Sequence, residues 1–167
     1  MLYLRPMNDI YLLLGTNLGN RTRNLQVAKE KLTSHQLIIK RESLIYETDA
    51  WGIEDQPKFL NQVVIVDSNK SPQRILNIAK IIEADMGRVA NEKWAQRLID
   101  IDILYFRDVV LEENALSLPH PEIENRRFTL EPLAEMEPEG IHPLLKKTHL
   151  ELLALCKDPL QAHPVEV

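Results

Sequence analysis

Residues 98–104 read Leu98-Ile99-Asp100-Ile101-Asp102-Ile103-Leu104. Side chains alternate along a β-strand, so Ile99, Ile101 and Ile103 point to one face and Asp100 and Asp102 to the other. The spacing predicts a strand over 98–106 with one face towards a core. The two carboxylates, their Cβ atoms roughly 6.5–7 Å apart, can converge on one hard cation or serve a pair of them. An Asp-x-Asp on a solvated sheet face is the plain alternative. Asp is depleted in strands, and that favours a functional reading.

Working towards the N-terminus, a helix precedes this strand. Ser71 is a good N-cap, Pro72 suits the first helical position, and Ile75, Ala79, Ile82 and Met86 form the apolar stripe. Gly87 supplies the left-handed stop. Before it, Val63-Val64-Ile65-Val66 marks a strand over 59–67, and residues 47–58 form a loop. Residues 37–46 read as one strand, and Leu25, Ala28 and Leu32 as the inner stripe of a helix over about 22–32. Ile10–Gly15 is an apolar strand closed by the turn Gly15–Asn20. After Phe106, Asp108 is expected to turn the chain into a hairpin with Val109–Leu111, followed by short helices at 128–136 and 148–156. The order β, α, β, β, α, β predicts an α+β fold, a ferredoxin-like βαββαβ sandwich with extra C-terminal elements and helices on one face of a mostly antiparallel sheet.

Composition bounds the class. The 167 residues suit a single domain spanning 1–167, with Met7 readable as an alternative start and residues 1–6 as an extension. Twenty Lys+Arg against 25 Asp+Glu give a formal charge of -5, which argues against a broad electrostatic grip on nucleic acid or acidic lipid. With 5% aromatic residues there is no stacking platform for single-stranded nucleic acid either. No apolar run is long enough for a membrane span. The single cysteine, Cys156 among Leu152, Leu153 and Leu155, excludes an internal disulfide and reads as a buried thiol. A reduced, cytoplasmic enzyme or binding domain fits.

Cations flank the aspartates despite the negative net charge: Arg88, Lys93 and Arg97 before the strand, His120, Arg126 and Arg127 after it. A metal pair with convergent Arg and His is what polyphosphate chemistry requires. Simple neutralisation of the carboxylates is the other explanation. No Gly-x-x-x-x-Gly-Lys-Ser/Thr loop is present, so a P-loop is excluded. A second constellation, Asp55-Gln56-Pro57-Lys58-Phe59-Leu60-Asn61, puts an aromatic ring and a carboxamide on one side of a strand. That pair can hold a flat, hydrogen-bonding heterocycle; a core Phe and a turn Asn is the alternative. Phe128 could be a second aromatic wall or a core residue.

Read in order, Leu14-Gly15-Thr16-Asn17-Leu18-Gly19, Tyr46-Glu47-Thr48, Gln56–Asn61, Glu83-Ala84-Asp85-Met86-Gly87-Arg88, Trp94–Leu104, Leu118-Pro119-His120-Pro121 and Asn125-Arg126-Arg127-Phe128 resemble the 6-hydroxymethyl-7,8-dihydropterin pyrophosphokinase family of folate biosynthesis. The resemblance runs from about residue 9 to 145. It implies a ferredoxin-like α/β/α sandwich and transfer of the terminal diphosphate of ATP, the co-substrate, to the pterin hydroxymethyl group, releasing AMP. Asp100 and Asp102 would hold two Mg2+ ions, with Arg97 and Arg88 also catalytic. Arg97, His120, Arg126, Trp94, Glu83 and Ser117 would meet ATP. Thr48, Phe59, Asn61 and Phe128 would bind the pterin, the two rings as a sandwich. A monomer acting on these two small molecules is expected. A non-catalytic ferredoxin-like module binding a metal or nucleotide is the alternative.

Overall fold

The computed structural model describes residues 5–49, 55, 57–87 and 98–167. Its strands are β1 (Arg5–Pro6), β2 (Ile10–Thr16), β3 (Ile38–Glu42), β4 (Ile45–Thr48), β5 (Phe59–Asp67), β6 (Asp100–Phe106), β7 (Leu111–Glu112), β8 (Ser117–Leu118), β9 (Gly140–Ile141) and β10 (His163–Val165). The helices are α1 (Arg21–Ser34), α2 (Pro72–Asp85), α3 (Arg127–Met136) and α4 (His149–Leu155). The main sheet runs β10-β4-β5-β2-β6, with β3 also against β5, and every pairing in it is antiparallel. β1 pairs in parallel with β9 at the margin, Arg5 opposite Gly140. No helix among the described residues is long and apolar enough to cross a membrane.

β2 is buried along its whole length and β5 along most of it. Strands apolar on both faces need cover on both. On one face Leu12, Leu14, Val64, Ile101 and Ile103 pack with Leu25 and Leu32 of α1 and Ile75, Ile78 and Ile82 of α2. On the other Tyr11, Leu13, Val63, Ile65 and Tyr105 pack with Leu130 and Leu133 of α3 and Leu152 of α4. The one-faced arrangement expected from element order is thereby corrected to an α/β/α sandwich, as the resemblance implied. The cause is visible in Val63-Val64-Ile65-Val66, a run with no polar face to leave in water.

Local signals hold where they are strong. Ser71 Oγ accepts the Arg74 N–H with Pro72 at the first helical position, and Gly87 takes a φ of 94° just past α2. Thr148 and Glu151 form a reciprocal capping box at α4. Cys156 is buried, as its leucine neighbours suggest. Two expectations fail. The strand expected over 37–46 is broken at Ser43, a buried residue that exchanges backbone and side-chain hydrogen bonds with Val63, so β3 and β4 follow one another along β5. The hairpin with Val109–Leu111 does not form; Leu111 pairs with Leu118 instead. The outer edge of β6 is already occupied, Ile101 N–H by Glu83 (3.0 Å) and Leu104 O by His120 N–H (2.9 Å).

β6 also carries a bulge. Tyr11 faces Tyr105 while Leu12 faces Ile103, leaving Leu104 as the extra residue. The slip returns Tyr105 to the α3/α4 face, where its hydroxyl donates to His149 Nε2 at 3.0 Å. His149 Nδ1–H donates to Glu137 O at 2.7 Å. His142 Nδ1 accepts from Leu144 and Leu145, so its Nε2 carries the proton, buried with no partner among the described residues. Burial, reinforced by His149, pushes His142 down to about 4, and burial lowers His149 as well.

Between pH 6.5 and about 4 the unfolded chain therefore binds protons that the folded chain excludes, and stability falls as pH drops through that window. Each such histidine removes up to about 1.4 kcal/mol per pH unit. The thermal midpoint is expected to fall by several degrees between pH 7 and pH 5. An unchanged midpoint would mean that these imidazoles are charged in the native state.

Candidate active site

The centre of the site is a residue without a side chain. Gly15 on β2 pairs with Asn61 of β5 on one side and Asp100 of β6 on the other. A Cβ on Gly15 would lie 2.9 Å from Asn61 Oδ1 and 4.0 Å from Asp100 Cβ. Only glycine lets the Asn61 carboxamide lie across the middle strand, a close approach that interior strand glycines often mark. Asn61 is buried and Asp100 half-buried. Alternation carries the same face along each strand. Phe59 lies two residues before Asn61 and pairs with Thr48 on β4, and Asp102 lies two residues beyond Asp100.

α3 covers this face. Phe128, in its first turn, is half-buried against the Tyr11/Leu13 cluster, with the Arg126 guanidinium 5.7 Å from its ring centroid. The structure thus brings Thr48, Phe59, Asn61 and Phe128 to the face that also presents both aspartates. The turn after β2 steadies the approach to Phe59. Arg21 donates to Glu47 and to Lys58 O, both at 2.8 Å, and Asn17 reaches Pro57 O at 3.4 Å.

On the β6 side, Asp102, Ser117 and His120 line one cavity of about 270 Å³. Burial and the nearby Arg126 charge push His120 down to about 4, so the ring is neutral at pH 7. Its Nδ1 accepts the Glu122 N–H at 3.1 Å. The proton is therefore on Nε2, which makes the ring a fixed donor suited to a phosphate oxygen. Asp102 also lines a larger cavity of about 430 Å³ with Lys80 and Glu83. Glu83 is buried and accepts the Ile101 N–H, so it ties α2 to the strand that carries the aspartates.

Arg88, Trp94 and Arg97 lie outside the described residues. Arg127 is committed elsewhere: its side chain donates to Asp158 O and Cys156 O, each at 3.0 Å. Sequence reasoning missed Gly15, taken there for part of a turn, although a glycine ending an apolar strand run was a usable signal.

Among the described residues no three His, Cys, Asp or Glu side chains converge on a point. Two carboxylates on one strand face suit a hard cation of the magnesium type, which completes its shell with water and substrate phosphates.

The fold class is shared with solved HPPK-DHPS structures. One, a complex with substrates, matches with a TM-score of 0.69 at 18% identity, covering 90% of this chain and 43% of that one. A wild-type Plasmodium falciparum HPPK-DHPS with pteroate matches with a TM-score of 0.69 at 19% identity, over 89% and 42%. The chain spans less than half the length of these solved chains. The family model for 7,8-dihydro-6-hydroxymethylpterin-pyrophosphokinase (HPPK) matches residues 11–138, and the chain belongs to that family. It is 43% identical over 84% of its length to a 2-amino-4-hydroxy-6-hydroxymethyldihydropteridine pyrophosphokinase of Aquifex aeolicus, covering 88% of that protein. It is 39% identical to the Bacillus subtilis protein of the same name, over 78% of this chain and 79% of that one.

Proposed function

We propose that this chain transfers diphosphate from ATP to the hydroxymethyl group of 6-hydroxymethyl-7,8-dihydropterin, releasing AMP, as a step of folate biosynthesis. The observation that supports the reading is the line Asn61–Gly15–Asp100 across three neighbouring strands, a carboxamide and a carboxylate either side of a glycine on one sheet face. A non-catalytic binding module is not favoured, because family membership and the two-sided site point to a reaction between two bound substrates.

The residues divide the work. Phe59 and Phe128 present aromatic faces to the pterin, and Asn61 offers a donor and an acceptor to its edge. Thr48 bounds the pocket. His120 Nε2–H, Ser117 and Arg126 meet the triphosphate, with Arg88, Arg97 and Trp94 of the 88–97 segment assigned to the same substrate. Glu83 is assigned to ATP as well, and its bond to the Ile101 N–H positions β6. Asp100 and Asp102 fit Mg2+ in type and placement; a hard divalent cation there supplies neutralisation of the phosphate oxygens. The alcohol oxygen bonds to the β-phosphorus as the bond from that phosphorus to the α,β-bridging oxygen breaks; AMP leaves carrying the bridging oxygen, and the hydroxyl proton passes to solvent. Much of the acceleration comes from holding alcohol and polyphosphate in line, with guanidinium charge opposing the charge that develops on the leaving oxygen. The reading takes 1–167 as one domain and the enzyme as a cytoplasmic monomer.

The test is product identity. Incubation with ATP, magnesium and the dihydropterin alcohol is expected to yield AMP and the pterin diphosphate. Formation of ADP would mean transfer of a single phosphoryl group and would overturn the assignment.

A further inference from the structure

Residues 157–165 lie beyond the 11–138 stretch matched by the family model and carry none of the side chains assigned above. α3 begins without a cap of its own, since Arg126 at the cap position makes no side-chain hydrogen bond to the helix. Asp158 supplies one from a distance. Its Oδ2 accepts the N–H of Arg127, the first helical residue, at 3.0 Å, and its Oδ1 accepts the Leu160 N–H at 2.9 Å. The Arg127 side chain closes the loop by donating to Asp158 O and Cys156 O. Asp158 is only 5% exposed, and its carboxylate sits at the positive end of the helix dipole.

From this latch the chain crosses to the sheet edge. β10 pairs antiparallel with β4, His163 opposite Glu47 and Val165 opposite Ile45. The segment therefore joins the start of α3, which bears Phe128, to β4, which bears Thr48. A cavity of about 260 Å³ lies between this segment and the sheet edge, bounded by Thr48, Lys58, Leu160, Gln161 and His163. The far end of α3 is held separately, by Tyr46 Oη donating to Glu135 at 2.8 Å. An uncapped first turn frays first, and here that turn carries the aromatic wall.

We propose that residues 157–165 form a strap that sets the pterin side of the site, with Asp158 as a positioning residue that holds Phe128 in place by capping α3. This rests on the pterin reading given above. Asp158→Ala is expected to raise the KM for the dihydropterin about fivefold, the size of a lost cap, while kcat and the KM for ATP stay within about twofold. Asp158→Asn keeps an oxygen for the Arg127 N–H but turns its NH2 towards the Leu160 N–H, so it recovers part of the loss. Amide exchange at Phe128 and Thr129 speeds up in Asp158→Ala, with α1 unchanged. Equal rises in both KM values, no recovery in Asp158→Asn, or exchange rising equally in α1 would each overturn the strap. The exchange arm needs no turnover. Wild-type protein that makes no AMP defeats the assigned reaction, whereas active wild type with an unmoved pterin KM in Asp158→Ala defeats only the strap.

Discussion

Asp100→Ala and Asp102→Ala are each expected to lower magnesium-dependent turnover by about a thousandfold or more. In the proposed reaction each aspartate supplies a hard oxygen to the site that would offset several phosphate charges, a contribution of several kcal/mol to the transition state. The fold should survive. Both residues are half-buried on the sheet face turned away from the Ile101 and Ile103 packing, and removing one carboxylate lessens repulsion of the other. The thermal midpoint of either variant is expected within about 4 °C of wild type, a shift equivalent to roughly 1 kcal/mol in a chain of this size. Turnover near the wild-type rate in either variant would remove the aspartate pair from the mechanism.

The second large effect is expected at the pterin edge, and it couples two residues. Asn61→Ala should weaken dihydropterin binding by about 1–3 kcal/mol, because a buried polar edge loses its partner, and should leave ATP binding nearly unchanged. Gly15→Ala should do the same without touching the ligand, since the new methyl group would stand 2.9 Å from Asn61 Oδ1 and force the carboxamide aside. Once Asn61 is alanine, that methyl group has nothing to displace. The double variant is therefore expected to bind pterin about as Asn61→Ala does, a coupling of the kind that contacting residues display. Calorimetric titration of the four proteins with pterin, and separately with a non-hydrolysable ATP analogue, measures it. Additive losses would mean that Gly15 matters for the sheet and not for the site.

Much of the site was legible because its signals are local. Asp100 and Asp102 announce themselves by alternation within one strand. Phe59 and Asn61 share a side for the same reason, and the order of motifs from Gly15 to Phe128 carried the family resemblance. His120 could be named from its motif, but not its neutral state or its Nε2–H, which depend on burial and on the Glu122 amide. Glu83 could be named too, yet its contact with Ile101 N–H is set by how α2 docks on the edge of β6.

Patterns with periods of two and 3.6 residues report on the chain's immediate neighbours, and so the sequence alone determined the helices, the caps of α2, the βαββαβ order and the strand that bears the aspartates. The tertiary structure decided what depends on partners distant in the chain. It put α3 and α4 over the second face of the sheet, because β2 and β5 have no side to leave in water. It made Leu104 the extra residue of a bulge, so that Tyr105 meets His149. It placed Gly15 between Asn61 and Asp100, and it gave α3 a cap from Asp158. Each of these is a contact whose energy appears only once two remote segments are packed together, and no spacing within either segment encodes it.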